Sequence, residues 1–292
     1  MARNRERAWT GFGKIGFLLC LCVFTLAACA SETLNPYNRG VEYYEKGRTA
    51  EAIRAYKQAI RDDPGDIEPR FNLAVIYQDQ GKWEEAVQLY QSILDKDPQY
   101  GPAWVNLASI QEKQGRLDEA EKSFKRGAEV DKEDGSTLSQ YGYFLLRSNR
   151  VEEARAAFRE ALSRSESCAN AHYGLGSIAF EQGMQAEALD HFENAIRYNP
   201  SDLGAYLKAV DILIAQEKPA RAIKLLQRAS TLAPNRWETF LLLGRLLAGE
   251  GKWKEAERAV EQALDLGAPK AESNRELATI YRQLMEEASR LN

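Results

Sequence analysis

Ile67 to Tyr100 reads IEPRFNLAVIYQDQGKWEEAVQLYQSILDKDPQY, two amphipathic helical patterns separated by Gly81. Sliding this 34-residue window along the chain in either direction brings back the same residue types. Window position 8 is small, 15 is Gly, 20 is Ala, 24 is aromatic, 27 is small or β-branched and 32 is Pro. A fixed period of this length marks a stack of like units, and it overrides the one or two globular domains that 292 residues would otherwise suggest.

With Gly40 at position 8, the windows run 33–66, 67–100, 101–134, 135–168, 169–202, 203–236 and 237–270, without insertion or deletion. Position 20 is Ala52, Ala86, Ala120, Ala154, Ala188, Ala222 and Ala256, and position 8 is Gly40, Ala74, Ala108, Gly142, Gly176, Val210 and Gly244. Small residues there let the first helix (A) and second helix (B) of a window cross closely. The large residue at position 24 fills the space beside the crossing: Tyr56, Tyr90, Phe124, Phe158, Phe192, Leu226 and Val260. Gly at position 15 ends helix A in a left-handed cap, a task Asn149 can take in the fourth window, and Pro64, Pro98, Pro200 and Pro234 are expected to stop helix B.

Ordering one 34-residue window costs roughly 50 kcal/mol at about 1.5 kcal/mol per residue, and a lone hairpin has a single buried face to offset it, so the windows must stack. Together these residues resemble the tetratricopeptide repeat (TPR) family over 33–270. The resemblance implies an all-α fold, a right-handed superhelical solenoid of seven 34-residue helix-turn-helix repeats with a concave groove lined by the A helices. A capping helix over 271–292 is expected to close it, with Leu277, Ala278, Tyr281 and Leu284 on one side. Two departures carry expectations of their own. Lys132 and Glu166 replace Pro at position 32, and the polar run from Asp131 to Ser136 is expected to be the softest joint. Val210, Glu217 and Pro219 depart from pattern in the sixth repeat, where looser packing is expected.

The amino terminus differs in kind. Arg3, Arg5, Arg7 and Lys14 oppose only Glu6, and Ile15 to Ala28 is almost wholly apolar, the layout of an export signal over 1–28. As a helix that run would rise roughly 21 Å, short of the roughly 30 Å hydrocarbon core. Leu26-Ala27-Ala28-Cys29 resembles the bacterial lipobox. That resemblance implies a lipoprotein in which Cys29 is the acylated first residue, palmitate among its chains, with 29–32 as a short tether. The same residues also fit plain signal-peptide cleavage at Ala28-Cys29-Ala30. Ala30 after the Cys resembles outer-membrane sorting, which implies a membrane-attached protein facing the periplasm.

Composition narrows the function classes. Apolar residues at 44% and charged residues at 28% are ordinary for an ordered chain. Removing Arg3, Arg5, Arg7, Lys14 and Glu6 from 39 basic and 43 acidic residues leaves 35 against 42, a net of −7 that argues against nucleic acid as a partner. Cys20 and Cys22 leave with the signal, so Cys168 has no intramolecular partner and is either a small hydrophobe at a repeat junction or a reactive thiol. His172, His191 and Cys168 lack a carboxylate at metal-ligand spacing, and read as one packed and one solvated imidazole rather than a metal site. Gly174-Leu175-Gly176-Ser177-Ile178-Ala179 has the letters of a dinucleotide fingerprint without its strand–turn–helix context. No nucleophile–base pair can be assembled, so the reading is non-enzymatic, with no cofactor and no small-molecule substrate.

Function is therefore expected in the groove, as protein-protein binding by a scaffold that takes up extended peptide segments of envelope or export machinery. Family positions carried onto this chain place Tyr37, Asn38, Val41, Tyr44, Phe71, Asn72, Val75, Val105 and Asn106 there. The amides at position 6 offer a donor and an acceptor to a peptide backbone. Members that clamp a chaperone's terminal carboxylates need cations where this chain has Tyr37, Pro102 and Asn106, so that role does not transfer. In the second half Tyr143, Leu146, Tyr173, Phe180 and Ile214 form either a second apolar binding surface or contacts between neighbouring A helices. Gln140-Tyr141-Gly142-Tyr143-Phe144-Leu145, followed by Arg150 and Glu153-Ala154, resembles a repeat of the type IV pilus secretin pilotin lipoproteins. A regulatory TPR component of an envelope enzyme complex is the alternative of another class.

Overall fold

The computed structural model describes residues 35–133 and 135–290. The leader, Cys29 and the tether lie outside the described residues. Every element is an α-helix, and no strand occurs among the described residues. The A helices are α1 (Pro36–Glu45), α3 (Glu68–Asp79), α5 (Gly101–Lys113), α7 (Ser136–Arg147), α9 (Ala169–Glu181), α11 (Leu203–Ala215) and α13 (Trp237–Gly249). The B helices are α2 (Thr49–Asp62), α4 (Trp83–Lys96), α6 (Leu117–Val130), α8 (Val151–Arg164), α10 (Gln185–Tyr198), α12 (Pro219–Leu232) and α14 (Trp253–Asp265). α15 (Lys270–Arg290) follows. The chain forms two compact units, one ending at Ser123 and the other beginning at Phe124.

The small–large alternation is what builds each hairpin. All seven position-20 alanines are 0% exposed, and the position-24 side chains beside them are at most 2% exposed. A Cβ added at Gly40 would stand 2.5 Å from Tyr56 Cε1, one at Gly142 2.7 Å from Phe158 Cε1, and one at Gly244 2.6 Å from Val260 Cγ2. The A–B crossings therefore have no room for a side chain at those positions. Each A helix ends in the same cap: Gly47 N–H donates to Tyr44 O at 2.9 Å and Arg48 N–H to Tyr43 O at 2.8 Å, with Gly47 at φ 70°. Asn149 takes this conformation in the fourth repeat (φ 59°), and Glu217 is forced into it in the sixth (φ 54°).

Two expectations change. Proline is not what stops helix B, because α6 and α8 end in the same register as their neighbours without it. At the polar junction the Thr137 hydroxyl donates to Asp131 Oδ2 at 2.8 Å and Arg164 reaches Ala128 O at 2.7 Å and also Asp131 O, while Asp134 lies outside the described residues. The sixth repeat is not loose: Val210 and Leu226 are both fully buried in the core cluster that runs from Ala179 to Ile280. A larger residue at position 8 is matched there by a smaller one at position 24, so the volume is conserved.

In the unit ending at Ser123, apolar clusters form within and between repeats. Tyr56 and Ala52 of α2 meet Leu73 and Ile76 of α3, and Tyr90, Ile93 and Leu94 of α4 meet Ala103, Leu107 and Ile110 of α5. This stacking holds the A helices side by side and presents one face of each as a continuous surface.

Candidate peptide-binding surface

Every groove residue expected from the sequence falls on α1, α3 or α5, within the first unit. Asn38 and Tyr44 are exposed, while Tyr37, Val41, Phe71, Asn72, Val75 and Asn106 are half-buried. Val105 is the exception. At 8% exposed it packs into the core and offers no surface.

The aromatic members are fixed by their neighbours. Tyr37 lies 6.1 Å from Tyr56 between ring centroids, and Phe71 meets Tyr100 edge-on at 5.4 Å and Tyr90 at 5.9 Å. The Tyr44 hydroxyl donates to Asp79 Oδ2 at 3.2 Å, and that carboxylate together with burial raises the Tyr44 pKa, burial being the larger cause. These contacts give the surface a rigid aromatic floor with polar tips.

The amide ladder differs from expectation. Asn72 does not project freely into solvent: its Nδ2 donates to the Tyr56 hydroxyl at 3.4 Å. The Tyr90 hydroxyl donates to Gln78 Oε1 at 3.2 Å. Tyr56 and Tyr90 are almost wholly buried, so their hydroxyls need a partner; Asn72 of the following repeat supplies it for Tyr56, and Gln78 of its own repeat for Tyr90. Burial pushes the Tyr56 pKa up to about 12. Asn72 at position 6 is thus coupled to Tyr56 at position 24 of the preceding repeat. Where position 24 is Phe158, position 6 is Gly174, and a Cβ there would come within 2.5 Å of the ring's Cε1. Sequence reasoning missed this coupling, although Tyr followed by Asn after 16 residues occurs twice in the chain. Asn38 has no preceding repeat and remains exposed. Asn72 keeps its carbonyl oxygen and a second N–H for a ligand.

In the second unit the apolar row is largely occupied with the protein itself. The Tyr143 hydroxyl donates to Asn170 O of the next A helix at 2.8 Å, its ring meets Phe158 edge-on at 5.0 Å, and Tyr173 meets Phe192 in the same manner at 5.5 Å. Lys208 Nζ sits 4.6 Å over the Phe180 ring, and Leu146 is half-buried. Ile214, at 37% exposed, is the one member standing open.

The two histidines are not one packed and one solvated. They face each other across the α9–α10 hairpin, Nδ1 to Nδ1 at 3.1 Å, and His172 Nε2 lies 3.0 Å from Glu166 O. A carbonyl only accepts, so Nε2 of His172 carries the proton, its Nδ1 accepts, and His191 Nδ1–H donates. The His172 ring also stacks on Tyr198 at 5.6 Å. Cys168 is buried with Sγ 3.2 Å from Ser139 Oγ, a packed thiol at a repeat junction. No group of three metal-ligating side chains is assembled among the described residues.

Comparison with known proteins agrees with this architecture. Tetratricopeptide repeat models match residues 78–139, 179–235 and 213–272 in one form, 143–192 in a second, and a TPR repeat model matches 40–81. The chain is similar to the structure of Pseudomonas aeruginosa pilF (21% identity, 73% of this chain and 96% of that one, TM-score 0.58). It is also similar to PilW, described as a widely conserved type IV pilus biogenesis factor (20% identity, 74% and 98%, TM-score 0.53). Yeast Tom70 aligns at 18% identity over 87% of this chain, which spans 54% of that structure, with a TM-score of 0.62. At these identities the likeness concerns the fold alone. No curated protein sequence matches the chain. With the repeat models covering more than half its length and the same small–large pairing at every crossing, the chain belongs to the tetratricopeptide repeat family.

Proposed function

We propose that this protein is a non-enzymatic scaffold, lipid-anchored through Cys29 in the bacterial envelope, that binds extended peptide segments on the A-helix face of its first three repeats. Tetratricopeptide folds bind peptide segments of partner proteins, and the open question is which surface serves here. The observation that carries the reading is the combination on α1, α3 and α5 of ordered aromatic rings with amides that retain free hydrogen-bonding edges. In the second unit the Tyr143 hydroxyl is bonded to Asn170 O of the next A helix and Phe180 lies under Lys208. The anchor rests on the lipobox-like Leu26-Ala27-Ala28-Cys29. No helix among the described residues is long and apolar enough to cross a membrane. Outer-membrane placement facing the periplasm rests on Ala30.

The test is fractionation paired with binding. Wild type should sediment with membranes and resist high-salt extraction, while Cys29→Ser should appear in the soluble periplasm or accumulate unprocessed. One acyl chain holds a protein only marginally, so stable attachment needs the multiple chains a lipoprotein carries. Extraction of wild type by salt alone would contradict the anchor. Loss of partner capture by an Asn38→Ala, Tyr44→Ala variant with an unchanged melt would support the surface.

A second reading, an assembly lipoprotein for a type IV pilus secretin, is favoured by the repeat from Gln140 to Ala154. Normal secretin multimers in a deletion strain would remove it.

A further inference from the structure

The outer end of the first repeat carries a feature that the peptide surface does not use. In later repeats position 7 of helix A is covered: Leu73, Leu107, Leu175, Ala209 and Leu243 are buried and Tyr141 is half-buried. In the first repeat that position is Arg39, and it is exposed. Beside it α2 contributes Arg54, Lys57 and Arg61, also exposed, around a hollow of about 580 Å³ floored by Tyr43. None of these four cations has an acidic side chain within ion-pair distance among the described residues. The one carboxylate lining the hollow, Glu51, is already held by Arg48 at 2.9 Å. A solvating end could use charges of either sign. Here one sign converges in a chain whose net charge is −4.

We infer that this basic end face binds the anionic headgroups of a phospholipid surface. The inference rests on the anchored reading above. Pro36 lines the same hollow, and Cys29 lies six residues before Asn35, a stretch that reaches at most about 20 Å when extended. An anchored first repeat therefore stands within about two Debye lengths of the bilayer, with its cations on the face nearest the anchor. Each cation brought to an anionic surface contributes about fivefold in partitioning. The contact would set the orientation of the A-helix face relative to the membrane.

The test uses the full chain, produced with its own leader, extracted in detergent and reconstituted with vesicles. One set is phosphatidylcholine alone, and the other is an equimolar mixture with phosphatidylglycerol. Flotation reports attachment, and acylation of Lys57 by a membrane-impermeant amine reagent, normalised to exposed Lys254, reports the end face. Flotation with both sets and about fivefold or greater protection of Lys57 on the anionic set alone, reversed by high salt, is the expected result. The Arg39→Glu, Arg54→Glu, Arg61→Glu variant should float equally but lose the protection. Protection that persists in a folded variant overturns the proposal, as does equal labelling on both sets while the protein floats with both. In the latter case the anchor stands and the face is left to an acidic soluble partner. Flotation with the anionic set alone supports the end face and removes the anchor, and flotation with neither removes both.

Discussion

Phe158 is the residue on which the packing account can be tested most sharply. Its ring is fully buried, and glycines from two A helices abut it: Gly142 of its own repeat and Gly174 of the next. Gly174→Ala would place a methyl group 2.5 Å from Phe158 Cε1, well inside contact distance. Exchange of Gly for Ala in a helix interior gains about 1 kcal/mol from propensity. Overpacking a core costs about 1–3 kcal/mol, and a ring with no exposed side has nowhere to retreat, so the upper part of that range applies. The net expectation is a loss of about 1–2 kcal/mol, or about 2–8 °C in Tm at the usual 2–4 °C per kcal/mol for chains of 150–250 residues. Gly249→Ala is the control. It sits at the end of α13 with nothing within 4 Å of its added Cβ, and should be neutral or stabilising by up to about 1 kcal/mol. Phe158→Leu should relieve the clash, giving a coupling of about 0.5–3 kcal/mol in a double-mutant cycle read by urea unfolding. If Gly174→Ala behaved like Gly249→Ala, or the cycle showed no coupling, the close fit at position 24 would not be what holds adjacent repeats together.

Other outcomes follow from particular residues. Glu217→Gly should stabilise by about 0.5–1 kcal/mol in urea unfolding, because Glu217 is held at positive φ where a Cβ costs about 1–2 kcal/mol and Gly gives back part of that in unfolded-state entropy. Asn72→Ala should lower stability by about 0.5–1.5 kcal/mol through the lost bond to Tyr56, and Tyr56→Phe in that background should recover part of it; an unchanged melt would mean the amide serves only a ligand. Both imidazoles are held below the ordinary histidine range, chiefly by burial and, for His191, also by the charge of His172. The unfolded chain therefore takes up protons that the folded chain refuses, so stability should fall as pH drops below about 6.5 and level off once the folded groups titrate. His172→Gln with His191→Gln should flatten the profile between pH 7.5 and 5, measured as the urea midpoint.

The fold was legible because the period repeats the same steric demand. A small residue at positions 8 and 20 and a large one at 24 is a packing statement in itself, and Ala86 beside Tyr90 realises it as directly as the sequence implies. Capping was legible at Asn149, since Asn tolerates the left-handed region, and Glu217 could be seen as a departure without its strain being visible. What escaped were interactions across a crossing. Tyr56 with Asn72 and His172 with His191 lie 16 and 19 residues apart on different helices, and only the packed hairpins bring their polar atoms together. The groove was read from family positions that line an open surface, and Val105 departs from it because in the third repeat that side chain is buried, while Tyr37 and Phe71 at the same position are half-buried. Proline was over-read, since α6 and α8 end in the same register as their neighbours without it.

The central claim is that the A-helix face of the first unit holds a partner's extended segment, and photo-crosslinking in intact envelopes tests it directly. A photoreactive amino acid placed at Asn38, exposed on α1, should yield a discrete crosslinked polypeptide, and the same group at Gln88, exposed on α4, should not. Equal crosslinking from Gln88, or none from Asn38 while the protein remains folded and membrane-attached, would contradict the account.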